Sequence, residues 1–223
     1  MPNIGSRIVE ITKGLAEGVK LVAVSKFHPI EALREAYNAG QRIFGESRVQ
    51  EIAQKYPQMP TDVQWHFIGH LQTNKVRQLV PLVSLIHSVD SYKLLLCIDS
   101  EAKRVDKVVD VLLQLHVAQE ETKFGFTCED CVELVQNGTL DELKNVRVCG
   151  VMGMASNTED YVKVRQEFSS IKAVFETLKS GYFADKPYFS EVSMGMSDDY
   201  GIAIEEGSTL VRIGSSIFGE RNY

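Results

Sequence analysis

The sequence predicts a single (β/α)8 barrel with an extra helix before its first strand, and three features of the 223-residue chain support this. Short apolar runs typical of buried strands alternate with longer segments whose apolar residues recur every three or four positions, which indicates parallel strands joined by helices. Eight such units occur, which suits one closed barrel better than an open sheet. No linker or low-complexity segment divides them, so we treat residues 1–223 as one domain.

The first half of the chain contains the extra helix and four strand–helix units. Apolar residues at spacings of 4, 3 and 4 between Ile4 and Leu15 predict a helix that ends before Gly18. The predicted strands are residues 20–25, 42–44, 63–69 and 84–89. Their helices lie between Pro29 and Gly40, after a Ser47 cap completed by Gln50, from Thr73 to Pro81, and after a Ser91 cap.

The second half of the chain contains four more strands, and the first three of them are each followed by a helix. The predicted strands are residues 108–117 (which contain the fifth strand), 146–152, 188–193 and 210–214. Helices are predicted after a Thr127 cap, after Thr158 as far as Gly181, and after a Ser197 cap. The residues beyond the eighth strand are too few for a full outer helix, so we expect the N-terminal helix to cover that part of the ring.

Composition excludes several classes of partner. The formal net charge is −6, and no basic run is dense enough for a nucleic-acid groove. No apolar run approaches the roughly 18 residues of a membrane span, and the N-terminus lacks a signal-peptide core, so we expect a cytoplasmic protein. Cys128 and Cys131 form a lone C-x-x-C without a second ligand pair, so no metal site is predicted. We also expect a monomer.

Polar and glycine-rich segments stand where the predicted strands end, which is where barrels of this class place their active sites. Lys26 follows the first strand, residues 193–197 ("SMGMS") stand at the end of the seventh, and Gly214 and Ser215 follow the eighth. Glycine lets a backbone approach an anion closely, and serine hydroxyls add donors. The last two segments together predict a phosphate site, although serine and glycine are also ordinary turn residues.

Lys26 is a candidate nucleophile because it opens the loop after a buried strand. Partial desolvation there disfavours the charged ammonium, and a neutral amine forms a Schiff base with an aldehyde. An aldehyde that also carries a phosphate, such as pyridoxal 5′-phosphate, suits both Lys26 and the predicted phosphate site. A Schiff-base aldolase acting on sugar phosphates needs the same two groups. The structural alternative is a lysine that extends from a strand end into solvent.

Arg212 interrupts the apolar eighth strand, on the same side as Leu210 and Gly214. An arginine that faces a barrel interior needs a partner. One hypothesis pairs it with an acid. The other has it donate to the pyridine nitrogen of a bound cofactor, which keeps that nitrogen unprotonated and weakens the ring as an electron sink.

Six segments, spread in order from residue 21 to residue 219, resemble the pyridoxal phosphate homeostasis proteins, which are also described as alanine-racemase-like N-terminal-domain proteins. They are "LVAVSK", "FGESRVQE", "WHFIGHLQTNK", "IHSVD", "SMGMSDDY" and "VRIGSSIFG". The resemblance implies one barrel that holds pyridoxal 5′-phosphate as a Schiff base on Lys26. It also implies a phosphate region at Ser193, Gly214 and Ser215, and a contact between Arg212 and the pyridine nitrogen.

The resemblance further implies control of the cell's vitamin B6 pool and amino-acid balance without robust turnover, with apo enzymes that use pyridoxal phosphate as recipients. Related alanine racemases take a second acid–base group, a tyrosine, from a second domain of the partner subunit, whereas the printed sequence ends at Tyr223, directly after the predicted barrel. The family often has asparagine where this chain has Ser47, and it suggests a role for Lys123 near the mouth. The alternative is an amino-acid racemase in which His66 or His70 serves as the second base.

Overall fold

The computed structural model describes residues 3–118 and 124–219. Its strands are β1 Lys20–Val24, β2 Ile43–Glu46, β3 Gln64–Phe67, β4 Leu85–Val89, β5 Val109–Gln114, β6 Val146–Met152, β7 Glu191–Ser193 and β8 Leu210–Ile213. Its helices are α1 Ile4–Gly14, α2 Ile30–Asn38, α3 Val49–Lys55, α4 Val76–Leu79, α5 Tyr92–Arg104, α6 Cys128–Gln136, α7 Tyr161–Ser180, α8 Tyr200–Glu205 and α9 Ser215–Phe218. Lys123 and Tyr223 lie outside the described residues.

The strands form one closed parallel barrel in chain order, which confirms the predicted (β/α)8 fold. Closure comes from the pairing of β1 with β8, which sets Val22 opposite Arg212. The strands are apolar on both faces because side chains pack inside the barrel and against the outer helices. All five residues of β4 are buried, and the large aromatic side chains of Phe44 and Trp65 lie in the outer layer of the core.

The N-terminal helix packs against α2 and α9, as the sequence predicted. One guanidinium nitrogen of Arg7 donates to the carbonyl of Ile217 at 3.1 Å, which ties this helix to the short helix after β8. Within residues 3–118 and 124–219, no helix has the length and apolar character that a membrane crossing requires.

Two predicted helix caps are wrong, and both errors concern serines at the mouth of the barrel. Strand β2 continues two residues beyond the predicted 42–44, so α3 begins at Val49 and Ser47 does not cap it. Helix α8 begins at Tyr200 with Asp199 at its N-cap position, so Ser197 does not cap it either. The Ser91 and Thr127 caps are confirmed, with side-chain oxygens that accept from backbone amides at 3.4 Å and 3.0 Å.

Candidate cofactor site

Lys26 lies in a tight turn at the carboxyl end of β1, and its side chain is half-buried. The His28 amide donates to the Ser25 carbonyl at 3.1 Å and closes this turn. Phe27 has a φ of +67°, in the left-handed region that most non-glycine residues avoid. A conformation of this kind persists only where surrounding contacts fix it.

Those contacts come from helix α3 and the end of β2. The buried Lys55 ammonium donates to the Ser25 carbonyl at 2.9 Å, to Glu46 at 2.7 Å and to Glu51 at 3.0 Å. Glu51 accepts from the Phe27 amide at 2.8 Å, and Glu46 accepts from the Ser25 hydroxyl at 2.7 Å. The residues on either side of Lys26 are therefore both anchored to α3, so the position of the turn is fixed from below.

Glu46 is the most strongly perturbed carboxyl group in this cluster. Its side chain is fully buried, and burial raises its pKa to about 7 despite the ion pair with Lys55. Its Oε2 atom has no hydrogen-bond partner among the described residues. A buried carboxylate with an unpaired oxygen is costly, so the desolvation penalty outweighs the attraction of the single ammonium.

The turn after β8 packs directly on the end of β1. A Cβ atom placed on Gly214 would lie 3.2 Å from the Val24 carbonyl oxygen and 3.3 Å from the Val24 Cβ, so glycine is what permits the approach. The Gly214 amide donates to the Ser197 hydroxyl at 3.3 Å. Ser215 begins α9 and is exposed. The predicted phosphate segments after β7 and β8 therefore meet beside the strand that leads into the Lys26 turn.

Arg212 lies inside the barrel, as predicted, but its partner is not an acid. Its Nη1 donates to the Ser193 hydroxyl at 2.6 Å and its Nη2 to the Gly153 carbonyl at 3.0 Å. Burial lowers its pKa to about 10, which still leaves it protonated at neutral pH; Asp199 acts on it only through space. Within the described residues, no carboxylate forms an ion pair with Arg212.

A buried histidine pair, not predicted from the sequence, continues from Ser193. His87 Nδ1 lies 2.9 Å from the Ser193 hydroxyl, and His87 Nε2 lies 2.9 Å from His66 Nδ1. Burial lowers the pKa of His66 to about 3 and that of His87 well below its ordinary value, so both rings are neutral. The alternation of β4 indicates His87, because it puts Leu85 and His87 on the same inward face.

The prediction of His66 as a second base at the mouth is therefore wrong. Its side chain is buried in the hydrogen-bond chain with His87, and its pKa is low. His70 follows β3 at the carboxyl end of the barrel. Its Nδ1 lies 3.1 Å from Asp90, and its ring stacks on Phe124 with the centroids 3.7 Å apart. It is the better placed of the two predicted histidines.

The fold and the match to known sequences define the class of this protein. A family model described as "Alanine racemase, N-terminal domain" matches residues 3–222. Relatives described as pyridoxal phosphate homeostasis proteins include one from Aquifex aeolicus (strain VF5), 44% identical over 205 residues, with 92% of this chain and 88% of the relative covered. One from Schizosaccharomyces pombe is 38% identical over 221 residues, covering 98% and 90%. This chain belongs to the pyridoxal phosphate homeostasis protein family.

Solved structures agree with that assignment. PipY from Synechococcus elongatus PCC7942, described with PLP bound, has a TM-score of 0.87 and 34% identity, covering 97% of this chain and 100% of that one. The same protein without PLP has a TM-score of 0.91. An alanine racemase from Clostridium difficile 630 is 14% identical with a TM-score of 0.77, covering 99% of this chain and 56% of that chain, and shows the shared fold alone.

Proposed function

We propose that this protein holds pyridoxal 5′-phosphate as a Schiff base on Lys26 and acts in vitamin B6 homeostasis without robust turnover. The packing of Gly214 on Val24 carries the proposal, because it sets the turn after β8 beside the strand that leads into Lys26. PipY, which covers nearly the whole of this chain, is described with PLP bound. Two relatives of this protein, from Aquifex aeolicus and Schizosaccharomyces pombe, are described as pyridoxal phosphate homeostasis proteins.

The residues present fit the cofactor. Gly214 directly follows β8 and stands two positions after Arg212, and two extended residues span roughly 7 Å, which is the scale of one pyridine ring with a phosphate arm. Gly214 and Ser215 would hold the phosphate, and Ser197 stands beside them because its hydroxyl accepts from the Gly214 amide. Ser193, assigned to the phosphate region by resemblance, instead directs its hydroxyl to Arg212 and contributes by orienting it.

Arg212 also supports a role in holding the cofactor. Bound pyridoxal phosphate supplies an electron sink through its ring, and the sink is strongest when the ring nitrogen is protonated. A protonated guanidinium can only donate, so a ring nitrogen that faces Arg212 has to accept. Arg212 therefore favours the ring state that stabilises negative charge least.

The decisive experiment is reconstitution of the full chain with pyridoxal 5′-phosphate. We expect a yellow protein that borohydride bleaches, and peptide mapping that finds the cofactor mass on Lys26. Lys26→Ala should remain colourless, whereas Lys13→Ala, a matched change at an exposed lysine on α1, should stay yellow. A wild-type protein that stays colourless and is trapped only with a sugar phosphate would establish the aldolase alternative instead.

The absence of robust turnover needs its own measurement, because the His70–Asp90 pair favours the racemase alternative. A histidine held by a carboxylate at the mouth is a reasonable acid–base group. We expect the loaded protein to exchange the α-proton of alanine with deuterated water only slowly, and His70→Ala to leave that rate unchanged. Rapid exchange that His70→Ala abolishes would make the protein an enzyme.

The wider role follows from a reversible bond to Lys26. Water would hydrolyse this bond to the free aldehyde and the Lys26 amine, and an incoming amine would displace Lys26 and take the cofactor as its own Schiff base. We therefore propose apo enzymes that use pyridoxal phosphate as recipients, with an effect on amino-acid balance. We further propose that the protein works as a cytoplasmic monomer. Mixing the loaded protein with an apo aminotransferase should restore the activity of that enzyme, and light scattering should give the mass of one chain. Failure of the transfer would remove the carrier role and leave the binding site intact.

A further inference from the structure

A second cavity lies at the opposite, amino end of the barrel. It has a volume of about 250 Å³, and its residues include the first residue of six strands. They are Lys20 of β1, Ile43 of β2, Gln64 of β3, Leu85 of β4, Glu191 of β7 and Leu210 of β8. None of these residues belongs to the cofactor site, so this inference does not rest on the proposed function.

The direction of the buried hydrogen-bond chain determines what His66 presents to this cavity. Arg212 can only donate, so the Ser193 oxygen accepts from it, and the Ser193 hydroxyl proton is satisfied by donation to His87 Nδ1. Neutral His87 then carries its proton on Nε2 and donates to His66 Nδ1. His66 is left with its proton on Nε2, which has no partner among the described residues, while its ring lines the cavity.

The reverse direction leaves a buried group unsatisfied. If His87 Nδ1 donated to Ser193, the hydroxyl proton of Ser193 would need another acceptor, and the described residues supply none. Such an unpaired buried donor costs on the order of 1–3 kcal/mol. The chain therefore runs outward from Arg212 and ends as an N–H donor at the cavity.

The charges around the cavity are balanced. Lys20 pairs with Glu191, and Arg147 forms a two-pronged pair with Asp110 at 2.6 Å and 2.8 Å. Lys20 keeps two further donors, and the Glu191 carboxylate has lone pairs left after it accepts from Lys20 and Thr209. A ligand with one charge unbalances this set, whereas a zwitterion adds one acceptor to the cation and one donor to the anion.

Three aliphatic side chains form an apolar wall of the cavity, whereas Gln64, Ser84 and Tyr188 add polar groups to its lining. Ile43, Leu85 and Leu210 line the cavity between the charged residues and the barrel interior. At a water's share of about 30 Å³, the cavity holds roughly eight water-sized groups, which is the scale of a valine or leucine molecule.

We propose that the amino-end cavity binds one α-amino acid with an aliphatic side chain. Its carboxylate accepts from His66 Nε2 and Lys20, its ammonium donates to Glu191, and its side chain contacts Ile43 and Leu85. Because the donor on His66 is fixed by a chain that begins at Arg212, this second site is connected by hydrogen bonds to the opposite end of the barrel.

The test uses the full chain without pyridoxal phosphate, so that no aldehyde reacts with the probe. Leucine is titrated by calorimetry beside 4-methylpentanoate, which lacks the ammonium, and 3-methylbutylamine, which lacks the carboxylate. We expect saturable one-to-one binding of leucine, at least roughly tenfold tighter than either analogue, because each analogue loses one charge-assisted interaction. Equal binding of leucine and 4-methylpentanoate, or no saturable heat with leucine, would overturn the proposal.

Nitrogen NMR of the histidine rings locates the site without any variant. His66 should show the Nε2-protonated form in the free protein, and leucine should shift that resonance. The Nδ1-protonated form, or leucine binding that leaves His66 unmoved, contradicts the assignment. Glu191→Gln should weaken leucine binding roughly tenfold, because it removes the charge that the ammonium meets. Lys13→Met, a change at an exposed lysine outside the cavity, should leave leucine binding unchanged.

Discussion

The buried Glu46 carboxyl makes a specific contribution to stability that changes with pH. Its pKa rises from the ordinary 4.5 to about 7 in the folded protein because burial penalises its charged form. A carboxyl group raised in this way stabilises the fold when it is protonated. That contribution is complete below pH 4.5 and is lost as the pH rises through 7.

The size of this contribution follows from the difference between the two pKa values. A rise from 4.5 to about 7 corresponds to about 3 kcal/mol, since each pKa unit represents about 1.4 kcal/mol. Between pH 5 and pH 8 the folded protein loses most of it, about 2.5 kcal/mol. Glu46→Gln keeps the shape of the side chain and cannot ionise, so the variant does not lose this amount.

Urea unfolding at pH 5 and pH 8 measures the effect. The free energy of unfolding of Glu46→Gln, minus that of the wild type, should increase by about 2.5 kcal/mol between the two pH values, which moves the relative midpoints by about 1 M urea. Comparing pH values removes any constant cost of changing the Lys55 ion pair.

Glu51→Gln is the matched control, because it changes a second carboxyl group on the same ammonium. Burial tends to raise the pKa of Glu51. Hydrogen bonds from the Phe27 amide and Lys55 lower this pKa by a larger amount, so the net shift is downward. Glu51 stabilises the fold above its ordinary pKa, and this stabilisation is lost only in more acidic solution. The difference in free energy of unfolding between Glu51→Gln and the wild type should therefore change much less between pH 5 and pH 8 than that of Glu46→Gln, because the Glu51 charge is the weakest of the influences on the Glu46 pKa. An equally small change for Glu46→Gln would refute the buried-carboxyl argument.

Three further changes test the fold around the site by urea or thermal unfolding. Lys55→Met leaves the buried Glu46 without its ammonium, and we expect a loss of about 3–5 kcal/mol at pH 8; a loss below 1 kcal/mol would contradict the buried ion pair. Gly150→Ala places a Cβ against a backbone carbonyl of β7 at a φ of +156° and should prevent stable folding, whereas Gly201→Ala, with nothing within 4 Å, should be neutral or stabilising by up to about 1 kcal/mol. Ser91→Ala removes the cap of α5 and should cost about 1 kcal/mol; no change would show that the cap does not contribute.

The strands were predictable because a parallel barrel buries both faces of each strand. The predicted run 146–152 coincides with β6, and the predicted run 84–89 begins one residue before β4 and ends with it. The predicted run 188–193 begins before β7 because its first apolar residues pack against aromatic side chains outside the strand. Phe189 stacks on Phe183 and Phe175, with ring centroids 4.0 Å and 5.0 Å apart, before the strand begins.

The errors arise where a contact distant in sequence outweighs a local signal. Ser197 has the pattern of a helix cap, but its hydroxyl accepts from Gly214, seventeen residues further along the chain. Ser47 also has a capping pattern, but β2 continues to Glu46, which pairs with Lys55 beneath the Lys26 turn. A local sequence pattern indicates only which structures one segment favours. Neither contact can be predicted from it, because both form only in the closed barrel.

The partner of Arg212 decides how its charge can be used. An acid bonded to the guanidinium would have neutralised it and occupied its donors. The described residues bond it instead to a hydroxyl and a carbonyl, and the Ser193 hydroxyl is held by neutral His87. The positive charge therefore stays directed to the barrel interior without an ion-pair partner. Such a group favours an acceptor atom over a protonated one, which supports the proposal that Arg212 would face an unprotonated pyridine nitrogen.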